Sequence, residues 1–258
     1  MDLELKDKVI VVTGGGRGIG AAIVRVLARE GAIAAIVGDA GEEAQALVRE
    51  INAAGGRSYY IKRYLGTPAD CELVLGEVDD RFGRLDGLVN NAGVNDGAGL
   101  ANGPEAFRSS LRRNLFHYFD MAHYALPALK ESRGAILNIA SKTALTGQGG
   151  TSGYAASKGG QLALTREWAA ELAPFGIRVN AIVPAEVRTP LYENWLATFD
   201  DPERKREEIV GRIPLGQRMT TAEEIADTAA FLLSPRSSHT TGQWIFVDGG
   251  YVHLDRAL

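Results

Sequence analysis

The chain has 258 residues, 45% of them hydrophobic, and its 32 Asp and Glu side chains outnumber 28 Lys and Arg, which leaves a formal net charge of -4. This length and apolar content predict a folded chain with a substantial core and exclude a disordered one, and the mildly acidic balance disfavours a nucleic-acid partner. The single cysteine, Cys71, excludes an internal disulfide and a cysteine-rich zinc site.

The chain shows no targeting or membrane signal. Its first residues, MDLELKDK, alternate charge with leucine and have no basic stretch before an apolar run. No apolar run approaches the roughly 18 residues that a membrane-spanning helix needs. We therefore expect a cytoplasmic protein with no membrane partner.

Short apolar runs alternate with longer segments of helical periodicity. The apolar runs predict seven strands, at residues 9–12, 32–37, 59–61, 87–89, 135–140, 177–183 and 244–247. The segments between them predict helices at about 19–30, 42–53, 70–82, 104–130, 154–173 and 222–233. No two strands are close enough for a hairpin, so we expect parallel strands joined by helical crossovers, that is, a doubly wound α/β sheet in a single domain spanning residues 1–258.

A glycine-rich turn joins the first predicted strand to the first predicted helix. It reads Thr13-Gly14-Gly15-Gly16-Arg17-Gly18-Ile19-Gly20. Glycines let backbone N–H groups approach a pyrophosphate, and the N-terminus of a helix stabilises the charge of that group. The turn therefore predicts a dinucleotide cofactor.

The end of the second strand bears on the choice between NAD and NADP. Asp39 lies where an acid would bond the ribose hydroxyls of NAD and repel the 2′-phosphate of NADP, although a plain turn residue is the alternative reading. Arg17, in the glycine turn, could instead bind that phosphate. The two residues favour different cofactors, so NAD and NADP both stay open.

Three polar residues around the fifth strand form a candidate catalytic group. Tyr154 and Lys158 are four residues apart and so share one face of a helix, where the ammonium group would lower the pKa of the phenol and prepare it for proton exchange with a substrate. Ser141 follows the strand, whose carboxyl end faces the ligand crevice of such a sheet. The four histidines show no metal-ligand spacing, so no metal is expected.

The longest interval without a predicted strand or helix is about 184–221. It contains Tyr192, Trp195 and Phe199 beside a charged stretch at 200–208. A long segment of this kind inside a compact domain is usually functional. Its composition predicts short helices that form a lid over a pocket.

These motifs resemble the classical short-chain dehydrogenase/reductase family over essentially the whole chain. In chain order, the matching residues are Thr13, Gly14, Gly18, Ile19 and Gly20; Asn90-Asn91-Ala92-Gly93; Asn114; Ser141; Tyr154 and Lys158; Arg178-Val179-Asn180; Pro184, Val187 and Thr189; and Val247-Asp248-Gly249-Gly250. The resemblance implies a Rossmann-type sheet of seven parallel strands with helices on both faces. It also implies an NAD- or NADP-dependent oxidoreductase that forms a homotetramer.

The resemblance assigns catalytic roles to four residues. Tyr154 would be the general acid/base, and Lys158 would lower its pKa while binding the nicotinamide ribose. Ser141 would orient the reacting oxygen, and Asn114 would hold a water in a proton relay.

The implied cofactor site is larger and includes departures from the family pattern. Gly38 stands where the family often has Asp. Leu65 stands near the position of an acid that bonds adenine, so that contact would come from the Leu65 backbone or be absent. The expected cofactor-binding residues are Gly14, Arg17, Gly18, Ile19, Gly20, Asp39, Leu65, Asn91, Ala92, Gly93, Tyr154, Lys158, Pro184, Val187 and Thr189.

The residues around the catalytic group indicate a substrate. The expected substrate-binding residues are Asn95, Ser141, Lys142, Gln148, Tyr154, Glu186, Tyr192 and Trp195. Several donors and acceptors around an aromatic ring suit a polyhydroxylated ring, whereas long-chain or steroid substrates call for a mostly apolar pocket. The segment 141–195 is similar to sugar dehydrogenases of the family, including those acting on L-fucose. We expect oxidation of an aldose such as L-fucose at C1 to its lactone.

Two other functions stay open. The first is an NADPH-dependent carbonyl or 3-oxoacyl reductase. The second is a dinucleotide-sensing scaffold without chemistry, which would not need Asn114, Ser141, Tyr154 and Lys158 together. The chain has no G-x-S-x-G sequence, which removes the usual α/β-hydrolase alternative.

Overall fold

Runs of Val, Ile, Ala and Leu form the strands of a parallel sheet in the computed structural model, which describes residues 1–254. The strands of these residues are β1 Val9–Thr13, β2 Ile33–Gly38, β3 Arg57–Lys62, β4 Gly87–Asn90, β5 Ala135–Ile139, β6 Arg178–Pro184, β7 Val187–Arg188, β8 Thr220–Thr221 and β9 Trp244–Val247. Seven of them make the main sheet, in the order β3-β2-β1-β4-β5-β6-β9, and β7 pairs only with β8. The seven predicted strands and the doubly wound sheet are confirmed.

Helices cover both faces of this sheet, which is why β1 and β5 are buried along their whole length. The helices of the described residues are α1 Gly18–Arg29, α2 Gly41–Ala53, α3 Pro68–Phe82, α4 Gly103–Leu111, α5 His117–Ser132, α6 Ser152–Leu172, α7 Pro190–Leu196, α8 Pro202–Val210 and α9 Ala222–Leu233. One core holds Leu27 of α1 and Ile225 of α9. A second core, on the opposite face, holds Val74, Met121 and Trp168 from α3, α5 and α6.

One predicted helix, 104–130, is wrong as a single element. The structure divides it into α4 and α5, with a π-helical turn at Arg112–Phe116 between them. The turn carries Asn114, whose side-chain amide donates to the carbonyl of Ser110 at 3.0 Å. No glycine or proline marks the turn, so the apolar period continues across it and the sequence reads as one helix. A π-helical turn often lies at a functional site.

The segment 184–221 forms β7, α7, α8 and β8, so the short helices expected there are present. Its action as a lid stays a prediction. So does the single domain, whose predicted range includes residues 255–258, outside the described part of the chain. Among residues 1–254, no helix has the length and apolar character needed to cross a membrane, and the cytoplasmic location stays a prediction.

The sheet order places a crevice between β1 and β4. From β1 the chain moves outward to β2 and β3 on one side, and the later strands extend from β4 on the other. The loops that follow β1 and β4 therefore diverge over opposite faces. In doubly wound sheets, ligands bind at this point, outside the carboxyl ends of the strands.

Candidate active site

A cavity of about 580 Å³ lies at the carboxyl ends of the central strands. It extends from the turn after β1 to the loop after β6 and to α7. All the residues predicted to bind a cofactor line it, namely Gly14, Arg17, Gly18, Ile19, Gly20, Asp39, Leu65, Asn91, Ala92, Gly93, Tyr154, Lys158, Pro184, Val187 and Thr189. The structure therefore brings residues from across the chain to one surface.

The glycine turn is attached to the neighbouring strand β4 by hydrogen bonds. The Thr13 hydroxyl accepts from the backbone N–H groups of Asn91 and Ala92, at 2.9 and 3.1 Å. In return, the Asn91 side-chain amide donates to the carbonyls of Thr13 and Gly14, at 2.9 and 3.2 Å. Gly14 adopts a φ of +63° within this turn, a conformation that favours glycine. The Asn-Asn-Ala-Gly motif that follows β4 therefore holds the glycine turn in one shape.

The turn leads into a helix N-terminus that no side chain caps. Helix α1 begins at Gly18, and the preceding residue, Arg17, makes no side-chain capping bond. The first N–H groups of a helix lack partners within the helix, and with the helix dipole they favour an anion. This end of the cavity can therefore bind a phosphate group.

Charged side chains surround Arg17 at the outer end of the cavity. Its guanidinium lies 3.8 Å from a carboxylate oxygen of Asp39 and 3.8 Å from one of Glu43. All three side chains are largely exposed, so each ion pair is weak. Arg17 is nevertheless held between two acids, which compete with any phosphate for it.

Tyr154 and Ser141 meet at the inner end of the cavity. Burial raises the pKa of Tyr154 to about 12, and a hydrogen bond with the Ser141 hydroxyl offsets part of that rise. The sequence led us to expect a lowered pKa, through Lys158. Burial of the phenol itself raises its pKa instead. Burial also lowers the pKa of Lys158 to about 7, which reduces its positive charge near neutral pH.

Lys158 is held by several oxygen atoms. Its Nζ donates to the carbonyl of Ile139 at 2.7 Å and to Oε1 of Gln161 at 3.2 Å. The same Nζ lies 5.4 Å from the centre of the Tyr154 ring. The two residues therefore share one helix face, as their spacing predicts, and the ammonium group lies beside the phenol.

Asn114 is buried just behind the cavity, where it supports the loop after β4. Its Oδ1 accepts from the backbone N–H of Val94 at 2.7 Å. A side chain at Gly93 would come within 2.8 Å of that oxygen, so only glycine fits there. The backbone carbonyl of Asn114 accepts from Nε2 of Gln161 at 2.6 Å. The water predicted at Asn114 stays a prediction, and a side chain occupies part of the space around this carbonyl.

The predicted substrate residues are brought together only in part. Ser141, Tyr154 and Tyr192 line the main cavity. Lys142 and Glu186 form an ion pair behind it, with side chains only 12% and 11% exposed. The Tyr192 hydroxyl donates to Oε2 of Glu186 at 2.7 Å, which connects this pair to the cavity wall.

The remaining three lie farther out. Gln148 lines a second, smaller cavity of about 330 Å³, formed by the loop that precedes α6. Asn95 is exposed in the loop after β4. Trp195 is 43% exposed and packs edge-on against Tyr192, with ring centres 5.2 Å apart.

Sequence reasoning missed three residues of this site. Arg113 and His117 line the cavity, and Gln161 joins Lys158 to Asn114. Burial lowers the pKa of His117 to about 4, so the imidazole is neutral at neutral pH. A signal was available, since His117 follows Asn114 by three residues and Gln161 follows Lys158 by three, and residues so spaced share a helix face. No cluster of His, Cys, Asp or Glu in the described part of the chain could hold a metal ion.

The chain matches known proteins over nearly its whole length. A family model described as enoyl-(acyl carrier protein) reductase matches residues 14–252. The chain is 37% identical to 3-oxoacyl-(acyl-carrier-protein) reductase of Thermotoga maritima, over 97% of this chain and 100% of that protein. It is 36% identical to L-fucose dehydrogenase of Bos taurus, over 97% of this chain and 91% of that protein. The crystal structure of Cj0485 dehydrogenase is similar at a TM-score of 0.95 and 46% identity, covering 100% of this chain and 99% of that one.

Proposed function

The chain belongs to the short-chain dehydrogenase/reductase family and is an NAD- or NADP-dependent oxidoreductase, and we propose that it oxidises an aldose such as L-fucose at C1 to its lactone. The enzyme class predicted from the sequence is confirmed, which removes the scaffold alternative. The substrate, the direction of the reaction and the role of each residue belong to the proposal.

The cavity fits a dinucleotide. The uncapped N-terminus of α1 and the backbone of the glycine turn would hold the pyrophosphate. Leu65 and the loop 91–93 would hold the adenosine end, and Lys158 would bond the nicotinamide ribose. When bound, the nicotinamide ring accepts the hydride that leaves the substrate carbon.

Tyr154 moves the proton in this proposal. During oxidation its phenolate oxygen takes the proton of the substrate hydroxyl, and during reduction its phenol returns a proton to the carbonyl oxygen. Ser141 would orient the reacting oxygen, because it lines the cavity beside the phenol and lowers its pKa. Lys158 would supply positive charge beside the phenolate, which lowers the free energy of the charged form.

One observation carries the choice of a polyhydroxylated substrate. Tyr192 lines the cavity, and its hydroxyl donates to Glu186, which is buried and paired with Lys142. Since that hydroxyl already donates its proton, its oxygen is fixed as an acceptor for a substrate hydroxyl. Arg113 and Asn194 add polar groups to the wall. We propose that α7, which carries Tyr192 and Asn194, closes over the substrate as the lid.

We expect the purified protein to oxidise aldoses in a dehydrogenase screen with both cofactors. The expected result is formation of reduced cofactor with L-fucose or a related aldose at millimolar concentration, followed by detection of the lactone or its acid. The polar side chains Arg113, Tyr192 and Asn194, which share the wall with apolar ones such as Leu191, can pair with hydroxyl groups, whereas an acyl chain would leave them unpaired. Acyl and cyclic ketones with reduced cofactor form the second arm. Consumption of reduced cofactor by ketones, with no reaction of any aldose, would overturn the aldose proposal.

The second arm tests the alternative function, reduction of an acyl or other ketone. The Thermotoga maritima relative, named as a 3-oxoacyl reductase, is as similar to this chain as the L-fucose dehydrogenase of Bos taurus. The apolar side chains Val94 and Leu191 in the wall fit such a substrate. The ion pair of Lys142 and Glu186 behind the wall and the polar side chains Arg113 and Asn194 in it weigh against this alternative.

We propose that NAD is the preferred cofactor. A 2′-phosphate would approach Arg17 where Asp39 and Glu43 already surround it, and two carboxylates outweigh one guanidinium. Replacing Asp39 with serine is therefore expected to raise kcat/KM with NADP about fivefold relative to NAD, the size expected for exposed charges.

The matched control for this change is Glu42→Ser, which removes one negative charge from the first turn of α2 at a residue outside the cavity wall. We expect it to leave the cofactor ratio unchanged. A wild-type protein that uses NADP better than NAD would contradict the assignment.

The predicted homotetramer is also part of the proposal. Phe116 and Phe119, in the π-helical turn and on α5, are 48% and 53% exposed. Exposed aromatic side chains beside a long helix are typical of an interface. This supports association of subunits through the long helices.

A further inference from the structure

The side chain of Gln161 spans the gap between two groups of the catalytic site. Its Nε2 donates to the backbone carbonyl of Asn114 at 2.6 Å, and its Oε1 accepts from Nζ of Lys158 at 3.2 Å. A water was expected between Asn114 and the catalytic group. The carboxamide of Gln161 lies between the carbonyl of Asn114 and Nζ of Lys158, and the water at Asn114 stays a prediction.

The chemistry of the two partners fixes the orientation of the amide. A backbone carbonyl only accepts, so it requires the NH₂ group of Gln161. A lysine ammonium group only donates, so it requires the oxygen. Reversing the amide would break both bonds at once, and only one orientation satisfies both neighbours.

Packing holds Gln161 in this place. The residue is 0% exposed, as is Asn114, and Lys158 is 3% exposed. One turn later on α6, the Thr165 hydroxyl donates to the backbone carbonyl of Gln161 at 2.7 Å and accepts from the amide of Asn138 at 2.9 Å. These bonds fix α6 against β5. The side-chain amide of Gln161 is therefore held both by its own two hydrogen bonds and by the helix that carries it.

We propose that Gln161 is a positioning residue for the proton-transfer reaction, which ties the Lys158 ammonium group to the backbone of Asn114 and favours its charged form beside Tyr154. The proposal rests on the family's dehydrogenase chemistry and not on the identity of the substrate. An oxygen that accepts from the ammonium group favours the charged form of the lysine, and the charged lysine in turn favours the phenolate.

The other groups around Lys158 do not replace this contact. Helix α5 contributes His117, which is neutral at neutral pH because burial lowers its pKa to about 4, and Tyr118, whose pKa burial raises well above the ordinary value. Strand β5 contributes the carbonyl of Ile139. Tyr154 shares α6 with the lysine, and Ser141 faces the phenol. Two neutral side-chain oxygens accept from Nζ: the Tyr118 hydroxyl at 3.5 Å and, at the shorter distance of 3.2 Å, the amide oxygen of Gln161.

Two substitutions separate positioning from a structural role. Gln161→Met keeps the length and volume of the side chain and removes both hydrogen bonds. Gln161→Ala leaves a gap between a carbonyl and an ammonium group, which waters can fill because both walls are polar. A merely structural residue would tolerate methionine better than alanine, since the smaller side chain loses more packing. If Gln161 is a positioning residue, the alanine variant will resemble the wild type more closely than the methionine variant does.

The measurement is the pH dependence of kcat/KM for oxidation, with any substrate that the screen provides. Oxidation needs the phenolate, so activity rises with pH through the pKa of Tyr154 and the acidic limb reports it. We expect Gln161→Met to move that limb upward by about one pH unit, because less charge on Lys158 leaves the phenolate less favoured. We expect Gln161→Ala to stay within a few tenths of a unit of the wild type. A methionine variant whose profile overlays the wild type would overturn the proposal.

A second readout needs no substrate. The ultraviolet difference titration between each protein and its Tyr154→Phe counterpart gives the ionisation of this phenol alone, and the same upward shift is expected for Gln161→Met. This keeps a failure of the aldose proposal distinct from a failure of this one. Gln161→Leu replaces the methionine variant if the latter does not fold. Ser157→Ala is the control, since it removes a buried hydroxyl on the same helix that donates to the carbonyl of Gly153 at 2.8 Å, and its profile should match the wild type.

Discussion

Replacing Tyr154 with phenylalanine is expected to lower kcat about a thousandfold while leaving cofactor affinity nearly unchanged. The change removes one oxygen atom, the group proposed to exchange a proton with the substrate, and proton transfer by a positioned side chain contributes about 10² to 10⁴ in rate. The ring itself lines the cavity, and phenylalanine keeps it. Steady-state kinetics with the best aldose and a fluorescence titration with reduced cofactor would measure the two effects separately.

The matched control is Tyr59→Phe. Its hydroxyl also makes a hydrogen bond, to Glu77 at 2.7 Å, but the residue lies on β3, away from the cavity. It should retain wild-type kcat. If Tyr154→Phe kept more than a tenth of the activity with unchanged stability, the proton would have to pass through another group, and the central role of Tyr154 would be wrong.

Local sequence patterns predicted those elements of the fold that a single local feature, such as a run of apolar residues, marks in the sequence. Strands buried on both faces are continuous apolar runs, and β1 and β5 therefore stand out in the sequence. The π-helical turn at Arg112–Phe116 does not stand out, because it adds a residue to a helix turn without changing composition. The turn places the side chain of Asn114 where it accepts from the backbone N–H of Val94, in the loop after β4, a contact that the local sequence does not reveal.

The same distinction applies to the candidate site. The glycine turn and the spacing of Tyr154 and Lys158 are local features, and the structure brings both to one cavity. The direction in which the pKa of Tyr154 shifts cannot be read from the local sequence, because it depends on how deeply the folded chain buries the phenol and the lysine. Gln161 gives no chemical signal of its own in the sequence. Its importance comes from a contact with the carbonyl of Asn114, 47 residues earlier in the chain.

The substrate end was the least predictable region for a related reason. Glu186 was expected to face the substrate because it follows β6, but an ion pair with Lys142 holds it behind the wall. Burial of a carboxylate requires a partner, and Lys142 and Tyr192 both provide one. The hydroxyl of Tyr192 therefore connects the buried carboxylate of Glu186 to the cavity.

The second prediction with a large expected effect concerns the glycine turn. Gly20 lies in the first turn of α1, and a Cβ at this residue would lie 2.7 Å from Nδ2 of Asn91 and would press against the carbonyl of Gly14. That amide and that carbonyl are the pair that fixes the shape of the turn. Gly20→Ala would therefore displace both, and we expect it to weaken binding of reduced cofactor about a hundredfold, which corresponds to about 3 kcal/mol.

The control for this substitution is Gly76→Ala, in the exposed middle of α3, where an added Cβ meets no atom within 4 Å. Alanine favours the helix over glycine by about 1 kcal/mol, so this variant should melt slightly higher than the wild type and bind cofactor normally. Fluorescence titration and thermal melting of both variants test the contrast. A Gly20→Ala protein with wild-type cofactor affinity would mean that the turn can move without loss. In that case the hydrogen bonds from Asn91 would not be what shapes the pyrophosphate site.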